Sequence, residues 1–175
     1  MQPAMVIPSV VWMLLSCFIL QYQVKGDDFL KELLSPRISC PKGSVAYGSY
    51  CYALFLSAKT WMAADLACQK RSEGRLVSVL TGSEAYFVSS MIRNTGTKSE
   101  NIWIGLHDPT EGLQPNGGGW EWSSKDVLNY LAWEKDIPTH PDSGHCASVS
   151  ETSNYEKWRD FDCRKELPYI CKFKE

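Results

Sequence analysis

The sequence predicts an α+β domain with a single core. Three observations carry that prediction: two helical segments early in the chain, a run of short strands after them, and an even set of cysteines available to staple a loop-rich whole. The first helical segment begins at Thr60 and runs through residue 71. Trp61, Ala64 and Cys68 recur in it at helical spacing, so Cys68 faces inward. The second opens on Thr81-Gly82-Ser83-Glu84, a capping-box pattern in which a hydroxyl and a carboxylate serve the free backbone N–H groups of a helix start. Val88 and Ile92 continue it, and Asn94 and Gly96 mark its end. Ahead of both, residues 45–56 alternate Tyr and aliphatic side chains around Gly48 and Ser49, the pattern of a hairpin.

Beyond the helices the pattern turns to strands. Ile102-Trp103-Ile104-Gly105-Leu106 reads as a buried strand, because only the glycine is not a large apolar residue and two positions are β-branched. Residues 107–119 are rich in Gly and Pro and have no period; an ordered loop of that length is uncommon unless it carries function. Trp120-Glu121-Trp122 resumes an alternating strand, and residues 146–149, 157–161 and 169–173 fit further short ones. Most of the seven Trp and eight Tyr lie downstream of residue 47, where their rings serve to fill a core.

The chain has 175 residues, 44% hydrophobic and 22% charged, the balance of a globular domain. A net charge of −2 without any Lys/Arg-rich block gives no footprint for nucleic acid. The apolar run at residues 10–20, followed by polar residues and Val24-Lys25-Gly26, reads as a secretory signal spanning residues 1–26. The product is therefore expected to be secreted and extracellular. Removal of the signal takes away Cys17 and leaves Cys40, Cys51, Cys68, Cys146, Cys163 and Cys171. Six cysteines in an exported chain read as three disulfides, for which fifteen pairings exist. No Cys/His spacing of a zinc finger competes with that reading. Residues 27–37 form a polar and aliphatic lead-in, and the Arg37-Ile38 bond at its end is accessible to a trypsin-like protease. The chain thus divides into a signal (1–26), a removable propeptide (27–37) and one domain (38–175). No nucleophile elbow, H-E-x-x-H or phosphate loop is present, and no cysteine is left over as a nucleophile; an enzyme is not expected.

Trp103-Ile104-Gly105-Leu106, Trp120-Glu121-Trp122, and then Cys146, Trp158, Cys163 and Cys171 follow one another as in C-type lectin domains, which the chain resembles from Cys40 to its end. Narrower strings resemble the type III, pancreatitis-associated branch of the regenerating (Reg) family: Ser-Cys-Pro-Lys-Gly-Ser at 39–44, Gly-Ser-Tyr-Cys-Tyr-Ala-Leu-Phe at 48–55, Gly-Leu-His-Asp-Pro-Thr at 105–110 and Leu-Pro-Tyr-Ile-Cys-Lys-Phe at 167–173. The resemblance implies the pairings Cys40–Cys51, Cys68–Cys171 and Cys146–Cys163. It also implies a propeptide whose removal by trypsin changes solubility, exposes activity and permits self-association.

What the resemblance implies for ligands is more specific. Sugar-binding C-type lectins hold calcium through a Glu-Pro-Asn or Gln-Pro-Asp triplet and a Trp-Asn-Asp string. This chain has Gln114-Pro115-Asn116 and Trp158-Arg159-Asp160. Gln114 is neutral, and Arg159 repels a cation, so no lectin-type calcium is expected. Type III relatives bind peptidoglycan or other glycans without calcium, and Gln114, Pro115 and Asn116 are the carbohydrate-binding candidates, with no cofactor required. Zinc, associated in the family with a set matching His107, Glu121 and His145, is the one metal the resemblance raises. Two roles follow: an antibacterial or acute-phase lectin acting on cell-wall polymers and bacterial membranes, or a trophic and anti-inflammatory ligand. The second would engage an exostosin-like receptor through a segment including Trp103, Gly105, His107 and Asp108. With 15 Lys and Arg against 17 Asp and Glu, residues 38–175 carry no net positive charge toward an anionic surface.

Overall fold

The computed structural model describes residues 38–113, 118–135 and 144–175. The expected signal and propeptide, including Arg37, lie outside the described residues, as do Gln114, Pro115 and Asn116. β1 (Val45–Tyr47) and β2 (Tyr50–Lys59) form the expected hairpin across Gly48 and Ser49, with Tyr47 paired to Tyr50. α1 (Trp61–Cys68) starts where Thr60 caps it, its hydroxyl accepting from the Ala63 N–H, and it ends earlier than the sequence pattern suggests. The chain leaves the helix in a tight turn, with the Arg71 N–H donating to Cys68 O and Glu73 at φ 49°. β3 (Arg75–Leu76) follows, then α2 (Gly82–Asn94), capped by Thr81 as its sequence predicts. β4 (Asn101–His107), β5 (Glu121–Trp122), β6 (Cys146–Ser150), β7 (Trp158–Phe161) and β8 (Leu167–Phe173) complete the sheet. Its strand order is β1-β2-β8-β4-β6-β7, with β3 also on β8 and β5 also on β4.

Alternation along the central strands builds two cores from one sheet. Tyr52, Ile170, Ile102, Ile104 and Leu106 join Val88 and Ile92 of α2 in one cluster. Their neighbours Cys51, Cys171 and Trp103 join Trp61, Ala64 and Cys68 of α1 in the other. β4 is buried at every position from Asn101 to Leu106. Each aliphatic side chain so buried contributes roughly 1.5–3 kcal/mol. The three disulfides have the pairing that the resemblance implies: Cys40–Cys51, Cys68–Cys171 and Cys146–Cys163.

Two buried polar groups hold the helices to this sheet. Asp65 on α1 lies in the same stripe as Trp61, Ala64 and Cys68. Its carboxylate accepts from the Leu76 N–H (3.0 Å) and the Ser123 hydroxyl (3.0 Å), and pairs with Arg75 (3.0 Å). Glu84 on α2 departs from a simple capping box. One of its oxygens accepts from the Leu80 N–H (2.8 Å); the other accepts from Tyr52 Oη (2.6 Å) and from Lys172 Nζ (2.7 Å). Burial first, and then this bond to Glu84, raise the Tyr52 phenol above its ordinary pKa. Removing one member of a buried ion pair strands the other, at about 3–5 kcal/mol. Glu84→Ala is therefore expected to lower unfolding stability by that order in a urea titration, and Glu84→Met combined with Lys172→Met to recover most of the loss.

Candidate functional site

The loop between β4 and β5 begins where the sheet opens. His107 is the last residue of β4, in register with Cys146 of β6 on one side and Glu121 of β5 on the other. Its ring stacks on Trp61, centroids 4.4 Å apart, and its Nε2 lies 3.6 Å from a Glu121 oxygen. Glu121 is in turn bonded to Lys125, four residues on. That bond, more than any other contact, lowers the Glu121 carboxyl. Burial lowers the His107 pKa; Glu121 opposes the shift and Lys125 adds to it. The imidazole is thus held neutral to lower pH than a free histidine.

Asp108 fixes the loop base. It is buried, and its backbone N–H donates to His145 O (2.8 Å), tying the loop to the start of β6. Its carboxylate accepts from the Thr110 N–H (2.8 Å), the Thr110 hydroxyl (2.5 Å) and the Gly112 N–H (2.9 Å). The returning strand presses on the same carboxylate. Gly119 has φ +91°, and a Cβ there would stand 2.5 Å from Asp108 Oδ1 and 2.4 Å from Thr110 Oγ1. Asp108 is accordingly a turn residue, and Leu113 beyond it is among the most exposed apolar side chains.

The expected receptor segment is only partly available. Trp103 is fully buried, its Nε1 donating to Lys59 O, and Asp108 is enclosed as described. Gly105 is buried where β4 passes β3; a Cβ there would meet Leu76 O at 2.6 Å. These three residues shape the scaffold, and a partner approaching the segment meets His107 and the loop beyond it. The expected zinc set is not gathered either. Among the described residues no three His, Cys, Asp or Glu side chains come together to hold a metal ion. His107 and Glu121 meet, but it is Cys146, not His145, that is in register with His107, and Glu121 is engaged by Lys125.

Arg159 of β7 is part of a network that no local pattern in the sequence announces. Its Nε and Nη2 donate to one Glu134 oxygen at 3.0 and 2.7 Å, while Ser150 and Thr152 hydroxyls donate to the other. Burial pushes the Glu134 carboxyl upward, but the hydrogen bonds from Ser150, Arg159 and Thr152 outweigh it and leave the pKa lowered. The carboxylate nearest to Arg159 is therefore satisfied by a guanidinium and two hydroxyls. Asp162, just beyond β7, is a surface group held down to about 2 by Arg164.

A mixed sheet flanked by two helices, three disulfides and a long loop leaving the central strand define a C-type lectin domain. A match to the Lectin C-type domain family covers residues 57–173. The solved structure of human lithostathine aligns with TM-score 0.72 and 41% identity over 78% of this chain and all of that one. Over all of both chains this protein is 62% identical to the human regenerating islet-derived protein 3-gamma. It is also 52% identical to the pancreatic beta cell growth factor of Mesocricetus auratus, over 93% of each chain. The chain belongs to the regenerating (Reg) family, on its type III side, a family of binding proteins rather than enzymes.

Two measurements check the site. Asp108→Ala is expected to abolish hydrogen-exchange protection at the Thr110 and Gly112 amides while leaving β4 and β8 protected. In NMR titrations the His107 midpoint should fall below the ordinary 6.5, lower still in Glu121→Gln and higher in Lys125→Ala. Because the unfolded chain then binds a proton at His107 before the folded one does, this residue's contribution to stability decreases as pH drops from about 6.5 toward the folded midpoint.

Proposed function

We propose that this is a secreted, calcium-independent glycan-binding protein that acts on bacterial cell-wall peptidoglycan in host defence, with the loop after β4 as its contact surface. The observation that supports this most directly is the Arg159–Glu134 pair. A fixed positive charge sits in the Trp-x-Asp string where calcium-dependent lectins place a ligand, and its carboxylate neighbour is already spent on it. Sugar recognition must then rest on hydrogen bonds made directly by the protein. Gln114 and Asn116 offer both donors and acceptors to vicinal hydroxyls. The base of the loop is held by hydrogen bonds from the chain itself to the Asp108 carboxylate.

The trophic alternative has its own support in the similarity to a protein named as a beta cell growth factor. In that reading the same loop, from His107 onward, meets an exostosin-like cell-surface receptor.

Retention on insoluble peptidoglycan, before and after trypsin and in excess chelator, distinguishes the readings. The glycan reading expects the trimmed form to be retained with or without chelator. It also expects Gln114→Glu to raise retention several-fold, since a charged acceptor makes about twice as strong a hydrogen bond. Absence of retention in both forms would leave the receptor reading standing alone.

A further inference from the structure

A groove without a single charged side chain runs between α2 and the first hairpin. Two hollows of about 310 and 600 Å³ meet at Phe87 and Ser90 and together follow α2 from Gly82 to Thr95. Ser83 and Asn94, near the two ends, stand about 17 Å apart along the helix axis. None of the residues around the hollows is Lys, Arg, Asp or Glu, although 22% of the chain is charged. The floor is apolar. Val45 and Leu54 of the hairpin meet Phe87 and Met91 of α2 there. Tyr47 stacks on Phe87, centroids 4.5 Å apart, so these two rings cover one another. Tyr86 lines the second hollow and is 66% exposed; the nearest cation, Arg93, stands 6.0 Å from its centroid.

The rim is polar and neutral. Ser83 and Asn94 are exposed, and their side chains have no hydrogen-bond partner among the described residues. Ser90 accepts from Arg93 Nη2 (3.0 Å), which leaves its own proton to donate. This lining narrows the ligand. A charged molecule finds no counter-charge. A hydrocarbon chain would cover the rim's hydroxyls and amide without bonding them, at a desolvation cost. β1 offers an edge of three residues, too short to pair an extended peptide along the groove. A molecule with apolar ring faces and a fringe of hydroxyls and amides matches floor and rim together.

We propose that this groove binds an uncharged oligosaccharide of N-acetylated hexoses, with a sugar ring on Tyr86 and hydroxyls and acetamides on Ser83, Ser90 and Asn94. The groove is built from different elements than the loop after β4, and only the choice of sugar rests on the glycan reading above.

The test is an NMR amide-shift titration of the purified protein with chitotetraose, chitobiose and n-octanol. Chitotetraose should shift the Ser83, Tyr86, Ser90 and Asn94 amides and bind several-fold tighter than chitobiose, because the longer chain reaches both hollows. Tyr86→Ala should weaken chitotetraose about three- to tenfold, the order of one aromatic contact. Tyr86→Phe, which keeps the ring, should bind as the parent does and guards against a fold defect in the first variant. Unchanged binding in Tyr86→Ala overturns the proposal. Chitotetraose shifts confined to the loop after β4 also overturn it, while leaving the glycan reading standing. If chitotetraose shifts nothing, the groove proposal falls and retention on peptidoglycan decides the loop's role separately. Groove shifts with n-octanol but not with chitotetraose would identify an apolar ligand instead. Shifts of the same amides on dilution without sugar would identify a second copy of the chain, and either result overturns the proposal.

Discussion

The last strand of the chain is the one on which the others depend. β8 pairs with β2 on one side and meets β4 in parallel on the other, so the sheet is continuous only once the C-terminal residues are in place. Two adjacent residues of that strand secure its two faces. Cys171 is bonded to Cys68 of α1, and Lys172, facing the other way, meets Glu84 of α2. The disulfide closes a separation of 103 residues, for which chain entropy gives roughly 4–5 kcal/mol. The ion pair adds orientation more than net stability, because desolvation of both charges offsets much of their attraction. A chain of many short strands and two modest helices has little local stability of its own, so this long-range closure is what makes the two cores form together.

Period and parity in the sequence revealed most of this scaffold. The hairpin at Gly48-Ser49, the Thr60 and Thr81 caps and the buried strand at Ile102–Leu106 are local features, and local chemistry announces them. Asp65 was legible in principle. It falls with Trp61, Ala64 and Cys68 on the i, i+3, i+4, i+7 stripe, where a carboxylate needs partners to be buried. Glu84 was half legible, since the capping-box pattern places it at the helix start but says nothing of Lys172, 88 residues away. The Glu134–Arg159 pair and the groove along α2 had no such signal. Both are assembled by contact between segments far apart in the chain, and only the topology brings their members together. Trp103 and Gly105 of the expected receptor segment are buried for a related reason: they belong to a motif that builds the sheet, and the motif's presence says nothing about exposure.

These facts separate the fold of a lectin from its usual chemistry. Where a cation organises a sugar site, it supplies both charge and loop order. With Arg159 and Glu134 committed to each other, loop order has to come from the chain. Fixing a residue's backbone costs roughly 1–2 kcal/mol. A hydrogen bond to a charged group returns about 1.5–3 kcal/mol. The three bonds at Asp108 therefore offset the ordering of only a few residues, those at the base. On the calcium-independent reading, affinity for sugar has to come from the protein's own hydrogen bonds.

Weak individual contacts are useful when the ligand repeats. A polymer held at one point raises the local concentration of its neighbouring units, so a second contact on the same domain multiplies the apparent affinity without strengthening either site. On the glycan reading, a repeating cell-wall polymer presents the loop with many equivalent units, so each departure leaves another unit close by, and modest affinity per unit is compatible with retention on the polymer.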